Sequence, residues 1–409
     1  MTAPGARPGT AQPSPPVALY VHIPFCVSVC PYCDFVVYAG SAARGPRNRV
    51  AELLGALSAE LELRADALDE RFGERAPLVS LYLGGGTPSL IPADEIARLV
   101  ELAGRRFGLA PDAEVTLEAN PGPDERGDAA ALARAGITRV SIGAQSLDPG
   151  ELRRLGRRHR PDDVTDAVAA ARAGGIGSVN VDLVYDVPGG SVATWMATLD
   201  AAVELAPDHL SLYALTLDDP DAEGLTGVEG DHLPSTAGAR RWRATARPEQ
   251  DEDRAAAEYH HAVVRLADDG WRGYEISNWA RPGHESRHNL AYWRREPYEA
   301  VGPGAHAFDG ATRRWNAARL DRYVAALAEH ALPPGGAESI DPETAAAEAA
   351  ILGLRLDTGL PLEAATEPPL GDWFGWALAA ELLAVTETDR IVLTTRGRLL
   401  SNELFSRLV

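Results

Sequence analysis

All three cysteines of this 409-residue chain, Cys26, Cys30 and Cys33, lie within eight positions of one another. The C-x3-C-x2-C spacing brings three thiolates to one short loop. Three thiolates can bind three of the four irons of a cubane [4Fe-4S] cluster. The fourth iron would then need a ligand that is not a protein thiolate. The spacing therefore predicts a loop folded around an iron–sulfur cluster with one open iron.

Two other uses of these cysteines fit the pattern less well. A structural zinc site needs a fourth protein ligand and usually has paired C-x2-C knuckles or neighbouring histidines. His22 is the only histidine close to the loop, and it precedes the loop. A disulfide bond would leave one of the three cysteines over, and the chain has no distant cysteine with which to close a long loop.

The residues around the cysteines resemble the cluster loop of radical S-adenosylmethionine (SAM) proteins. The chain reads YVHIPF at 20–25 and CPYCDF at 30–35. More narrowly, it is similar to the coproporphyrinogen dehydrogenase-like group that includes the HemW-type haem chaperones. The resemblance implies that the amine and carboxylate of SAM bind the open iron.

The length of 409 residues predicts one large domain and one or two smaller ones. No window of about 18 uninterrupted apolar residues occurs, so we expect no transmembrane helix. Residues 1–16 are rich in proline and are expected to form a disordered tail rather than a secretory signal. With 39 basic and 59 acidic residues the net charge is −20, which disfavours nonspecific binding to nucleic acid or anionic lipid.

Short β-branched runs alternate with amphipathic stretches, which predicts repeated βα units and a parallel sheet in an α/β fold. The candidate strands are 17–23, 78–83, 114–118, 139–142, 178–184 and 209–215. The candidate helices between them include 48–63, 94–107, 162–173 and 194–205. Six units are fewer than the eight that close a complete barrel. The family resemblance implies the partial (βα)6 barrel of radical SAM proteins over residues 17–217.

The remainder of the chain is predicted to form an insertion, an extension of the barrel and a small domain. Residues 218–252 show no sustained period and are expected to be an irregular, mobile insertion. The barrel extension covers residues 253–335. Residues 336–409 are expected to form a C-terminal α+β winged-helix-like domain, for which the resemblance favours a lid or partner surface over nucleic-acid binding. The helical stretches expected in these regions are 253–267, 344–354 and 373–384.

Glycine and polar residues follow the predicted strands, where parallel α/β folds bind their ligands. Gly85, Gly86 and Thr87 come after the second strand, and glycine lets the backbone approach a ligand closely. Taken one at a time, such residues more commonly form turns, cap helices or pack. The resemblance implies that SAM contacts these three residues and also Tyr20, Tyr32, Glu118, Gln145, Arg157 and Asp182. Carboxylates and amides suit its ammonium and ribose groups, and the guanidinium suits its carboxylate.

A second motif, HNLAYW at 288–293, matches the HNxxYW pattern associated with HemW-type haem chaperones, and GPGAH follows at 302–306. The resemblance implies that His288, Tyr292 and Trp293 contact haem, through the iron or by stacking on the porphyrin. The ordinary alternative for such a histidine is a hydrogen-bonded packing role. Nearby guanidinium groups would suit the haem propionates, namely those of Arg281, Arg287, Arg294 and Arg295.

The resemblance implies two possible functions. One is a haem chaperone that binds haem and a SAM-ligated cluster and delivers haem to acceptor haemoproteins, such as membrane-bound respiratory enzymes or bacterioferritin-like proteins. The other is an oxygen-independent coproporphyrinogen III dehydrogenase, a radical SAM oxidative decarboxylase. Dehydrogenases of this group typically read CxxxCxxCxC, whereas Phe35 occupies the last position here. This difference and the HNxxYW motif favour the chaperone. The cluster implies a reducing, cytoplasmic setting, and the resemblance admits a homodimer.

Overall fold

The computed structural model describes residues 12–44, 48–217 and 220–409. Within these residues the strands are β1 (Ala18–Ile23), β2 (Phe25–Cys26), β3 (Tyr38–Ala39), β4 (Leu78–Gly85), β5 (Leu109–Ala119), β6 (Arg139–Gln145), β7 (Ser178–Tyr185), β8 (His209–Ala214), β9 (Arg272–Gly273), β10 (Asn278–Ala280), β11 (Tyr298–Val301), β12 (His306–Phe308), β13 (Thr312–Asn316), β14 (Gly335–Ser339), β15 (Leu360–Pro361), β16 (Leu383–Val385) and β17 (Arg390–Leu393). The α-helices in the same residues are α1 (Val50–Phe72), α2 (Ala93–Phe107), α3 (Ala129–Arg134), α4 (Pro149–Arg154), α5 (Pro161–Ala173), α6 (Val192–Glu204), α7 (Ala237–Ala246), α8 (Glu252–Asp268), α9 (Arg287–Trp293), α10 (Leu320–Ala328), α11 (Pro342–Arg355), α12 (Gly371–Ala379), α13 (Thr395–Leu399) and α14 (Ser401–Phe405).

The centre of the fold is a parallel sheet in the order β1-β4-β5-β6-β7-β8. These are the six predicted strands, and the predicted α/β fold with a partial (βα)6 barrel is confirmed. β11 continues the sheet in parallel beside β1, and β12, β13 and β14 follow it in antiparallel pairs. β10 and β9 extend the opposite edge beyond β8. These flanking strands were not among the predicted ones.

Side chains alternate along the parallel strands between two environments, as the period of a strand requires. Leu19, Leu81 and Val181 belong to the main hydrophobic core together with residues of the surrounding helices. The intervening positions carry polar side chains, and Tyr82 and Asp182 are examples that keep partial contact with solvent. The barrel therefore has an apolar outer layer beneath its helices and a polar interior.

Two predicted helices have different ends in the structure. The helix expected over 48–63 continues to Phe72, because Ala65 and Leu68 extend its buried face. The helix expected over 373–384 was wrong at its C-terminal end. α12 stops at Ala379, and the apolar run that follows forms β16, which pairs with β17.

The region expected to be an irregular and mobile insertion contains a helix instead. α7 is capped by the Thr236 side chain and packs on the barrel. The indole of Trp242 donates to the Arg154 carbonyl at 3.0 Å, and Arg243 donates to the Cys33 carbonyl at 3.1 Å. The expectation was wrong for this part because the packing face of α7 uses an arginine and a tryptophan rather than an apolar stripe.

The predicted disordered tail falls mostly on residues 1–11, which lie outside the described residues. The backbone N–H of Ser14, in the described part of that tail, donates to the Asp309 carbonyl at 2.8 Å. Within the described ranges, no helix is long and apolar enough to cross a membrane.

The C-terminal residues form a small antiparallel sheet, in the order β15-β17-β16, with helices packed against it. This agrees with the predicted α+β domain. Leu354, Ile391 and Leu404 are among the buried residues of its separate hydrophobic core. The domain is joined to the barrel extension by ion pairs from Arg355 to Glu275, at 2.7 Å, and from Arg272 to Asp357.

Candidate functional site

The cysteine loop begins directly after β1, at the C-terminal edge of the parallel sheet. Its three cysteines are half-buried, and the Cys33 N–H donates to the Cys30 carbonyl at 3.1 Å. Burial raises the pKa of the Cys26 thiol to about 11 and that of Cys33 further. Iron bound to these sulfurs would act in the opposite direction, because a coordinated thiol loses its proton. Among the described residues, no group of three or more histidine, cysteine or acidic side chains is arranged to hold a single metal ion.

Several elements hold the cysteine loop in place. β2, which ends at Cys26, pairs with β3 on the far side of the loop. The Nε2–H of His22 donates a hydrogen bond to the Val36 carbonyl, 2.8 Å away. From the insertion, Arg243 reaches the Cys33 carbonyl. The loop is therefore attached to the barrel at both ends and to α7 in the middle.

The glycine turn after β4 packs directly against the start of the cysteine loop. Gly85 has a φ of +110°, and a Cβ there would lie 2.3 Å from the imidazole of His22. A Cβ on Gly86 would lie 2.7 Å from the Phe25 carbonyl oxygen. Thr87 donates a hydrogen bond to the Cys26 sulfur at 3.4 Å. These two glycines are needed for close packing with the loop, and Thr87 touches a predicted cluster ligand.

Two carboxyl groups lie in the polar interior of the barrel. Glu118 accepts hydrogen bonds from the Gly85 N–H at 2.7 Å and from the Tyr82 hydroxyl at 2.9 Å. Burial raises the pKa of Glu118 to about 7, with Asp182 adding to the effect. Burial also raises the pKa of Asp182, which accepts from Ser141 at 2.9 Å. The ring of Tyr20 lies 6.0 Å from that of Tyr82. Each of Glu118, Asp182, Tyr20 and Tyr82 is half-buried and keeps some contact with solvent.

Arg157 connects the barrel edge to the cysteine loop. Its guanidinium donates to Asn120 Oδ1 at 2.5 Å, to the Gly143 carbonyl at 2.6 Å and to the Cys30 sulfur at 3.5 Å. Its buried Nε has no hydrogen-bond partner among the described residues. A cationic group beside a cysteine, with an unused donor, has the chemistry to bind an anionic group next to the loop.

The remaining predicted SAM contacts, Tyr32 and Gln145, differ in their surroundings. Tyr32 packs against Trp242 of α7, with ring centroids 6.3 Å apart. Gln145 ends β6 with a φ of 67°, where the pairing between β6 and β7 shifts register. Such a conformation is uncommon for a residue other than glycine and recurs at functional sites.

Comparison with known proteins identifies the family to which this chain belongs. The Radical SAM superfamily matches residues 20–202. The heme chaperone HemW of Mycobacterium tuberculosis is 40% identical over 411 residues, which cover all of this chain and 98% of that protein. HemW of Bacillus subtilis is 30% identical over 94% of this chain and 97% of its own length. The chain belongs to the HemW family of radical SAM proteins.

Two further comparisons extend this result. The mouse protein named Radical S-adenosyl methionine domain-containing protein 1, mitochondrial, is 36% identical over 74% of this chain and 63% of its own length. The solved structure of the Escherichia coli coproporphyrinogen III oxidase HemN, a radical SAM enzyme, has a TM-score of 0.78 and covers 97% of this chain and 91% of that chain, with 22% identity. HemN therefore has the same fold as this HemW-family chain.

The HNxxYW motif of this HemW-family chain lies on α9, beneath the polar interior of the barrel. His288 is buried, and its ring nitrogens are 2.9 Å from the Ser80 hydroxyl and 2.8 Å from the Tyr292 hydroxyl. Burial lowers the pKa of His288 to about 3, so its ring is neutral. Tyr292 also packs edge-on against Tyr298, with centroids 4.5 Å apart. Iron binding by His288 would have to replace one of these hydrogen bonds, and the predicted haem contact stays a prediction.

Trp293 and the neighbouring arginines lie nearer the surface. The Trp293 ring packs under the Arg355 guanidinium, and its buried Nε1 has no partner in the described part of the chain. Of the four arginines predicted to meet haem propionates, three form ion pairs, those of Arg281, Arg287 and Arg295. Arg294 is exposed and forms no ion pair with a described residue. It lines a cavity of about 360 Å³ between α9 and the C-terminal domain.

The predicted site residues did not include Tyr82, Asn120 and Ser141. Each contacts a predicted site residue, respectively Glu118, Arg157 and Asp182. A signal was present for Tyr82 and Ser141, since they occupy the polar face of predicted strands at alternating positions. Asn120 also had a signal, since it follows the third predicted strand at the edge where parallel α/β folds bind ligands, and its side chain reaches Arg157 across the end of the sheet.

Proposed function

We propose that this chain is a haem chaperone that binds haem together with a SAM-ligated [4Fe-4S] cluster and passes the haem to acceptor haemoproteins. The observation that carries this proposal is the 40% identity to a protein named heme chaperone HemW over the full length of both chains. The HNxxYW motif and Phe35 in place of a fourth cysteine support the chaperone over the dehydrogenase.

The residues at the cysteine loop suit the two small cofactors. Cys26, Cys30 and Cys33 would hold the cluster, which supplies an open iron and, when reduced, an electron for SAM. The buried, unpartnered Nε of Arg157 suits a carboxylate. Glu118 has a raised pKa and forms no ion pair with a described residue, so a cationic group of SAM would compensate its charge. These observations concern charge and donor type, and the role of each residue remains our proposal.

We further propose that the acceptors are haemoproteins of a reducing compartment, with the cytoplasm as the setting. Iron–sulfur clusters and free thiolates are oxidised in compartments that favour disulfides. The chain has no thiols beyond the three of the loop.

The test combines haem transfer with a dehydrogenase assay on the same anaerobically reconstituted protein. We expect stoichiometric haem binding, seen as a Soret band, and transfer of that haem to an apo-haemoprotein. The second arm contains coproporphyrinogen III, SAM and a reductant, and we expect no protoporphyrinogen. Formation of protoporphyrinogen, or a failure to bind haem, would remove the chaperone proposal.

A cluster-deficient variant provides the matched control. Cys30→Ser should abolish the iron–sulfur absorbance of the reconstituted protein while the chain stays folded. If the thiolates hold zinc instead, the unsubstituted protein would contain stoichiometric zinc and no sulfide after reconstitution.

A further inference from the structure

Arginine is concentrated in two segments that lie against the cysteine loop. Residues 153–160 contain five arginines and residues 237–247 contain four, and neither segment contains an acidic residue. The rest of the chain then has 30 basic residues against all 59 acidic ones. Positive charge is therefore gathered in these two segments of a chain that is otherwise strongly acidic.

The first segment covers the end of α4 and the turn after it, and it packs on the cysteine loop. A Cβ on Gly156 would lie 2.9 Å from the Pro31 ring, so the backbone of this turn lies directly against the loop. The Arg157 guanidinium donates to the Cys30 sulfur at 3.5 Å. The arginines that flank Arg157 in the sequence are therefore close to the predicted cluster ligands.

The second segment consists of α7 and the residue after it. Arg243 donates to the Cys33 carbonyl at 3.1 Å. Trp242 packs against Tyr32 of the cysteine loop, and its indole donates to the Arg154 carbonyl at 3.0 Å. Because Arg154 belongs to the first segment, residues 153–160 and 237–247 join into one surface beside the loop, named here the basic face.

Four arginines of the basic face have exposed charges that are not paired. They form no ion pair with a described residue, and they are Arg153, Arg154, Arg158 and Arg241. Unpaired charges of one sign attract a partner of the opposite sign and speed its association, and salt weakens this attraction by screening it. The basic face is therefore suited to an anionic partner.

The position of the basic face decides which anionic partner it suits best. A cluster held by the three cysteines has to receive an electron from another molecule before an electron can pass to SAM. Because electrons tunnel efficiently only over short distances, the donor has to dock beside the cysteine loop. An acidic carrier protein would be attracted by the basic face and repelled by the acidic remainder of the chain, so its encounters would be oriented toward the loop. Complexes between electron-transfer proteins bury little surface, so charge contributes much of their recognition.

Nucleic acid and anionic lipid are the other common ligands of basic surfaces, and they suit this face less well. A duplex or a bilayer extends far beyond two short segments. Its phosphates would therefore also meet the acidic remainder of the chain, where like charges repel one another. A compact acidic protein can contact the basic face alone.

We propose that the basic face docks a small acidic protein that carries one electron and delivers it to the cluster. The inference rests on the proposed function, because it requires the [4Fe-4S] cluster. The step moves one electron, so the reduced carrier is oxidised, the cluster is reduced, and no bond forms or breaks. Carboxylates of the carrier would bind the four unpaired guanidinium groups.

The test uses a plant-type [2Fe–2S] ferredoxin, an acidic one-electron carrier, as the probe. Its binding to the reconstituted, full-length protein is measured by titration calorimetry at ionic strengths of about 0.01 M and about 0.15 M. We expect binding that weakens at the higher ionic strength. Arg158→Gln combined with Arg241→Gln should weaken binding about fivefold or more at the lower ionic strength, because two charged contacts with the carrier are lost.

Arg105→Gln combined with Arg134→Gln is the matched control, since it removes the same two charges. These exposed arginines lie in the last turns of α2 and α3, which lead into β5 and β6 at the opposite edge of the sheet from the cysteine loop. The control should bind ferredoxin as the unsubstituted protein does. The second readout is the rate of cluster reduction. Reduced ferredoxin should act more slowly on the Arg158→Gln, Arg241→Gln variant, whereas dithionite, a small reductant that needs no docking surface, should act on it as before.

The outcomes separate this inference from the proposed function. If the reconstituted protein contains no iron and sulfide, the cluster and the inference fail together. If the cluster forms and haem binds, but ferredoxin does not bind or binds both double variants equally, only the inference is wrong. Slower reduction by dithionite in the Arg158→Gln, Arg241→Gln variant would mean that these arginines support the cluster itself, and it would overturn the docking role. Binding of tRNA or of phosphatidylglycerol vesicles through the same two arginines, without binding of ferredoxin, would also overturn it.

Discussion

Replacing Glu118 by glutamine is expected to stabilise the ligand-free protein at about pH 8 but much less at about pH 5. Burial raises the pKa of this carboxyl from 4.5 to about 7. The folded protein then keeps a proton that the unfolded chain releases, so the free energy of unfolding falls as the pH rises between these two values. Glutamine carries no titrating proton and escapes this loss.

The size of the effect follows from the two pKa values. Each pKa unit corresponds to about 1.4 kcal/mol. A rise from 4.5 to about 7 therefore removes about 3 kcal/mol from the free energy of unfolding at a pH where Glu118 is ionised in both the folded and the unfolded state. Glu118 keeps partial contact with solvent, which reduces this figure. Part of the pH range over which the two states differ in protonation also lies below pH 5. We expect a gain of about 2 kcal/mol between the two pH values. The glutamine carbonyl can still accept from the Gly85 N–H, and its amide can donate to the Tyr82 hydroxyl.

The assay is urea unfolding followed by circular dichroism at both pH values. Glu329→Gln, at the exposed end of α10, is the control for removing a carboxylate from the surface. An equal effect of Glu118→Gln at both pH values would mean that Glu118 is already ionised in the folded protein at about pH 5. The charge of Glu118 would then be compensated within the ligand-free protein, contrary to this prediction.

Three further predictions concern packing around the site. Gly85→Ala should lower the thermal midpoint more than Gly175→Ala, because both have positive φ but only the first would bring its Cβ against a neighbouring side chain. Glu60→Ala should reduce the free energy of unfolding in urea by about 3–5 kcal/mol, since Glu60 is fully buried and its loss leaves the mostly buried Arg64 without its ion pair. Tyr323→Phe removes one hydrogen bond to the same carboxylate and should cost about 1 kcal/mol. Arg243→Ala should detach the insertion from the third cysteine and accelerate iron loss to a chelator.

The parallel strands could be predicted because each is a short apolar run bounded by turn residues. The flanking strands could not. β13 reads TRRWN and β14 reads GGAES, and neither has an apolar alternation. Their residues form strands because each pairs with the strand beside it, and pairing between distant segments leaves no local pattern.

The candidate site, too, could be predicted only where its residues lie close together in the chain. The cysteine spacing identifies the loop, because three ligands of one cluster must lie close together in the chain. The surroundings of His288 are different, since Ser80, the partner of its Nδ1, is 208 positions away. Nothing in HNLAYW indicates whether its histidine is buried with both nitrogens engaged or exposed to a ligand.

Polar groups in the barrel interior differ in how fully their charges are compensated. On the side of α9, Arg139 approaches Glu114 at 3.9 Å, and His209 lies within hydrogen-bond distance of Asn180 at 2.7 Å. These groups satisfy one another and need no ligand to be stable. At the cysteine-loop end, Glu118 has a raised pKa and the Nε of Arg157 has no described partner. The uncompensated charge of Glu118 and the unused donor of Arg157 both destabilise the ligand-free protein. A ligand with a cationic group near Glu118 and an anionic group near Arg157 would remove both costs. A zwitterionic ligand would therefore bind at the cysteine-loop end of the barrel and stabilise the fold there, while the α9 end would remain a packed base.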